Sequence, residues 1–143
     1  MPHRFLDDAP TADVGFVAFG NTLAGCFQAA ADATLEVMVV NPEAVAERVT
    51  RAVHVEHEVL DLALLRFLEE LIFYKDAERL FLRATRVEVA ERSGRWVIDA
   101  TVAGEMIDPS RHQLSGDVKA VTLHRLNVRQ TDAGWEATVV LDI

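Results

Sequence analysis

The sequence predicts an α+β fold of two layers, a mostly antiparallel β-sheet with two helices packed on one face. Three observations carry that reading. Two segments repeat apolar residues at three- and four-residue spacing, alternating runs precede and separate them, and everything after about residue 80 alternates or turns. The order strand, helix, strand, helix, four strands suits neither a parallel doubly wound sheet nor an all-β barrel. Each helix must also bury its apolar stripe against something, and a sheet face is the economical answer.

The first strand is "DVGFVAFG" from Asp13, with Val14, Phe16 and Ala18 on one side, Val17 and Phe19 on the other, and Gly20-Asn21 as its closing turn. Thr22 is placed as N-cap of the first helix, in which Leu23, Cys26, Phe27, Ala30, Thr34, Val37 and Met38 share a stripe. Asn41-Pro42 ends that helix, because the residue before a proline is pushed out of helical geometry, and Pro42-Glu43 opens a short turn. The second strand puts Val49, Val53 and Val55 on one face and Ala52, His54 and Glu56 on the other. A second helix, 60 to about 77, aligns Leu60, Leu64, Leu65, Leu68, Leu71 and Ile72, with Phe67, Phe73 and Tyr74 expected to widen the buried arc. Two hairpins follow, one around Ser93-Gly94 and one around Asp132-Ala133-Gly134. Between them "MIDPSRHQLSGD" has no periodicity and reads as an exposed connection.

The length of 143 residues fits one domain, 1–143, large enough to bury a real core. Fourteen Lys and Arg against 23 Asp and Glu give a net charge of -9, which repels nucleic-acid backbones and anionic membranes, so neither is an expected partner. A single cysteine, Cys26, excludes an internal disulfide and a thiolate zinc cluster and fits a reducing compartment. No apolar leader or membrane span is evident, and the cytoplasm is the expected location.

Several chemistries drop out on spacing. "AFGNTLAG" lacks the glycine spacing of a dinucleotide fingerprint. His54 and His57 of "HVEH" point to opposite faces of a strand and make a poor zinc pair. Asp108, Ser110 and His112 of "IDPSRH" are neighbours in sequence, which is not triad geometry, and a loop role is favoured. Trp96 and Trp135 each begin the return strand of a hairpin and read as packing residues. Carboxylate chemistry remains. Asp13 opens the first strand, while Asp142 and Ile143 end the last. If those ends meet, the crowded negative charge calls for a cation or a basic side chain, and all-oxygen donors suit calcium or magnesium; solvated strand ends are the alternative.

Taken in order, "TADVGF", "GNTLAGCFQAAADATLEVM", "LDLALLRFLEELIFYKDAE", "GEMIDPSRHQLSGDVKAVTLHRLNV" and "GWEATVVLDI" resemble the archease family across roughly residues 4–143. The resemblance implies a non-catalytic accessory protein for the RtcB-type tRNA-splicing ligase, promoting guanylylation of the ligase and multiple turnover in RNA ligation. Carried over by motif, the family's calcium site falls on Asp13, Asp142 and Ile143, the last through its terminal main-chain oxygens. Lys119 of "VKAVT" matches a basic position near those acids, where it would balance or orient their charge; a lysine on a solvated strand face is the other reading. The sequence departs from the family at "DDAPTAD", which lacks the histidine of "DHTAD" and inserts a proline, and at Ala24-Gly25, which replaces an acidic position. A chaperone-like adaptor for RNA-processing enzymes and a metal-dependent hydrolase are the rival functions.

Overall fold

The structure is a computed structural model and describes residues 2–8 and 13–143. The proline-containing departure from "DHTAD" falls on residues 9–12, outside the described residues. Among the described residues, eight strands and two α-helices follow one another as β1 (His3–Phe5), β2 (Asp13–Gly20), α1 (Leu23–Met38), β3 (Val49–His57), α2 (Leu60–Glu78), β4 (Leu80–Arg92), β5 (Arg95–Met106), β6 (Ala120–Val121), β7 (Asn127–Thr131) and β8 (Gly134–Asp142). This is the expected α+β class, and every ladder is antiparallel. The strands nevertheless divide into two sheets rather than one. Five strands run β1-β2-β8 with β6 and β7 both on the far edge of β8, and three run β3-β5-β4.

The helices pack on the core faces of both sheets. Helix α1 touches β2 and β8 on one side and β4 on the other, which explains why it is apolar nearly all round. Its run of buried alanines, Ala29, Ala30, Ala31 and Ala33, lets both sheets approach closely. Thr34, also fully buried, donates its hydroxyl to the Ala30 carbonyl at 2.9 Å and so leaves no polar group unsatisfied. Thr22 caps the helix as expected, accepting the Gly25 N–H at 3.0 Å. The helix stops at Met38, three residues before Asn41, and Pro42–Ala44 forms a single 3₁₀ turn.

Helix α2 lies against β3, β4, β5 and β6 through Leu64, Phe67, Leu68, Leu71 and Ile72. Phe73 departs from expectation: it is 57% exposed, on the side shared with Arg66 and Glu69, with only its edge against the Tyr74 ring at 5.5 Å. The β4–β5 hairpin turns on Ser93 and Gly94, both at positive φ (52° and 75°), the combination that matches the twist of the flanking strands. At Gly104 the two strands come so close that a β-carbon would collide with the Phe81 carbonyl. No described helix is long and apolar enough to cross a membrane.

Candidate functional site at the open end of the five-stranded sheet

Alternation along β2 and β8 decides what the open end presents. Phe16 and Ala18 of β2, and Ala137, Val139 and Leu141 of β8, point into the core, with Val14 packed against it. The opposite parity sends Asp13 and Asp142 to the outer face. The ladder pairs them directly, Asp13 against Asp142 and Val14 against Leu141, and on the other side of β8 it sets Ala120 against Asp142. Directly opposed residues on antiparallel strands have β-carbons about 4.5–5.5 Å apart on the same face, and like charges so placed repel. Both aspartates are half-buried, and no ion pair among the described residues reaches either one.

Lys119 enters this end through its backbone. Its N–H donates to the Asp142 carbonyl at 2.8 Å, while its side chain is exposed and forms no ion pair among the described residues. Ile143 is half-buried and packs against the core, with the chain at Gly116 close enough that a β-carbon there would sit 3.8 Å from Ile143 Cγ2. The structure therefore brings Asp13, Asp142, Ile143 and the Lys119 backbone together.

The run 106–117, expected as an exposed connection, is mostly exposed, and with Val118 and Lys119 it forms a hydrogen-bonded strap that delivers Lys119 to Asp142. A helix leaves its last carbonyls without intrahelical partners. Here the Ser115 and Gly116 N–H groups donate to Met38 and Val37 of α1, each at 2.9 Å, and Gln113 and Leu114 pair with Val40 and Val39 just beyond. Val118 and His112 of the strap are buried at 0% and 1% exposure.

Two buried charged groups anchor the strap, and neither was singled out by the sequence. Glu105, 4% exposed, accepts from Arg111 at 2.6 Å, the Ala46 N–H at 2.7 Å and His112 Nε2 at 2.9 Å. His112 Nδ1 accepts the Asp108 N–H at 2.9 Å, so the ring proton resides on Nε2 and is given to Glu105. The Arg111 guanidinium and the Ala46 N–H hold the Glu105 carboxyl far below the usual carboxylate range. Lys75 in the last turn of α2 is 7% exposed, donates to Asp117 and the Val118 carbonyl, and forms an ion pair with Asp76. A glutamate closing a strand and a lysine ending a helix are ordinary surface residues in sequence; the only signal was the density of polar residues in the strap they hold.

The other sequence candidates lie elsewhere. Ser110 Oγ donates to Asp108 at 2.7 Å and not to His112, an Asx-type turn rather than a nucleophile and its base. His54 on the outer face of β3 bonds Asp99 and Glu56, whereas His57 Nδ1 accepts the Val59 N–H just ahead of α2. Cys26 is fully buried, and burial pushes its thiol up to about 12, leaving it inert at neutral pH. Trp96 and Trp135 pack against the core.

Chemically, the open end offers hard oxygen donors at a like-charged pair, which suits calcium or magnesium rather than a soft metal. Among the described residues no three His, Cys, Asp or Glu side chains are grouped to hold a metal, so a cation between Asp13 and Asp142 would need main-chain oxygens as well.

Residues 3–143 match the Archease protein family. A protein archease of Pyrococcus furiosus is 35% identical over 93% of this chain and 94% of its own length, and one of Pyrobaculum calidifontis is 38% identical over 99% and 97%. The solution structure of a Methanobacterium thermoautotrophicum protein superposes with a TM-score of 0.85 at 32% identity, covering 99% of both chains. The crystal structure of an archease from Thermotoga maritima, described as a possible chaperone, shares the fold with a TM-score of 0.58 at 14% identity, covering 94% of this chain and 93% of its own.

Proposed function

This chain belongs to the archease family, and from that premise we propose that it is a non-catalytic activator of an RtcB-type tRNA-splicing ligase. It would promote guanylylation of the ligase and repeated turnover in RNA ligation, with the acidic end of the five-stranded sheet as its working part. The observation that carries this reading is the direct pairing of Asp13 with Asp142 beside Ile143. The ladder holds two carboxylates side by side at a cost in repulsion and gives neither a basic partner among the described residues. The description of the Thermotoga maritima relative as a possible chaperone supports the broader form of the reading, action upon a protein partner.

In this reading Asp13, Asp142 and the main-chain oxygens of Ile143 hold calcium or another hard divalent cation. When bound, the cation supplies a local positive charge for phosphate oxygens where nucleotidyl transfer redistributes charge. The chain's own residues do the rest. The β2–β8 ladder fixes the spacing of the carboxylates, the Lys119 N–H fixes the Asp142 main chain, and the Lys119 ammonium stands exposed, available to a partner or to phosphate. The net charge of -9 speeds encounter with a basic RNA-binding enzyme and discourages RNA from binding the activator itself.

The test is single-turnover guanylylation of the ligase. Asp13→Ala and Asp142→Ala are expected to lose at least tenfold of the stimulation while keeping their circular dichroism. Two residues added after Ile143 are expected to do the same with every side chain in place. Full stimulation by all three folded variants would refute the reading. Phosphoester turnover by the isolated protein would support the hydrolase instead.

A further inference from the structure

We infer that Lys75 is a positioning residue for the acidic end, its ammonium clamping the strap so that the Lys119 N–H stays on the Asp142 carbonyl. The inference rests on the function proposed above for that end. It concerns a residue in the last turn of α2, in a different element from any of the acids.

An ammonium has three protons to give, and a buried one must place all of them. Lys75 hydrogen-bonds Asp117 Oδ1 at 2.5 Å and the Val118 carbonyl at 2.6 Å, and its remaining side faces Asp76 Oδ1 as an ion pair at 2.8 Å. Two of the three partners belong to the strap, at the two positions immediately before Lys119. The chain then runs straight into the Lys119 N–H bond to Asp142 and into β6. Strand β6 is only two residues long, Ala120–Val121, and is tied to β8 beyond its end by the Thr122 N–H and hydroxyl, both donating to the Val140 carbonyl at 3.0 Å. Upstream, the strap is tied to the α1 carbonyls at Ser115 and Gly116. Between those ties and β6, the two strap bonds of Lys75 are the polar side-chain anchors that, with the buried Val118 side chain, set where Lys119 falls.

The direction of recruitment is also legible. Asp117 has a side chain 71% exposed, whereas that of Lys75 is 7% exposed, so the strap carboxylate reaches to the lysine site rather than the reverse. Burial alone would lower the Lys75 pKa, but its bonds to Asp117 and Asp76 outweigh burial and raise it, so the clamp stays charged at neutral pH. The same helix buries Leu68, Leu71 and Ile72 against the core, which makes the lysine a rigid post.

Amide hydrogen exchange read by NMR, with calcium titration as a second arm, tests this on the full chain. In Lys75→Met, which keeps the length of the side chain and removes its donors, the Lys119 amide is expected to exchange at least tenfold faster. The Val139 amide, in the middle of β8, should change no more than global stability requires. Asp117→Ala, a surface change that keeps the fold if Lys75→Met does not, is expected to speed Lys119 exchange severalfold. Calcium affinity should fall about tenfold in Lys75→Met. Unchanged Lys119 exchange in either folded variant overturns the inference, as does a rise spread evenly over the β8 ladder, which would mark a merely stabilising lysine. If Lys119 exchange accelerates but the wild type takes up no calcium, the clamp stands and the cation reading of the acidic end falls.

Discussion

Glu105 and the Asp13–Asp142 pair are carboxylates treated in opposite ways by one fold. Glu105 is buried and surrounded by donors, from Arg111, Arg48, His112 and the Ala46 backbone, so its charge is fully answered. Asp13 and Asp142 are half-exposed, set against each other, and answered by no basic side chain among the described residues. A carboxylate saturated by its own protein has nothing left to offer a ligand, whereas two that repel each other gain from anything positive that arrives. The contrast separates an acid that builds the molecule from acids kept for use.

The sharpest way to break that contrast is to remove each group and compare stabilities. Glu105→Ala strands Arg111, the His112 Nε2–H and the Ala46 N–H, and urea unfolding should show a loss of about 3–5 kcal/mol. A loss under about 1 kcal/mol would mean that Glu105 is not structural. Acid titration sharpens the same side. Because the folded pKa of Glu105 lies below its unfolded value, the unfolded chain binds more protons, and stability rises with pH. Its contribution is complete above the unfolded carboxylate pKa, near 4.5, and drains away as pH falls toward the depressed folded value. Wild type should therefore lose stability below that point more steeply than Glu105→Gln, and equal slopes would contradict the assignment.

How much of this was legible beforehand follows the same division. Alternation gave the inward set Val14, Phe16 and Ala18 and with it the outward placement of Asp13, while the helix stripes and the Thr22 cap followed from spacing. Alternation assigns faces but not ladder partners, so the separation of β3-β5-β4 from the five-stranded sheet could not be read from it. Strand β1, three residues long, is below the length at which any period is visible. The run "VKAVTLHRLNV" reads as one strand but is broken into β6 and β7, with Arg125 at φ 58° in the break. The exposure of the run 106–117 was legible, but its order was not, because that order comes from bonds to distant α1 carbonyls and to Lys75 and Glu105. Such pairings leave no local pattern. Of the candidate site, the three residues Asp13, Asp142 and Ile143 came from resemblance, and their supports came only from the fold.

Smaller effects probe the other side. Asp13→Asn removes one charge of the opposed pair, so in the absence of divalent cations it should stabilise the fold by about 0.2–1 kcal/mol in urea unfolding. A destabilisation would show that the pair is already compensated. The smallest effect is expected at His54, whose bonds to Asp99 and Glu56 raise its pKa at an exposed site. The stability it adds is present below its unfolded pKa, near 6.5, and is lost as pH rises through the raised folded value. His54→Gln should flatten that shallow decline, and an unchanged profile would assign it elsewhere.

Calorimetric titration of calcium into wild type, Asp13→Asn and Asp142→Asn tests the central claim most directly. The account predicts about one ion bound per wild-type chain, with affinity at least tenfold weaker in each variant. Equal calcium affinity in all three proteins would contradict it.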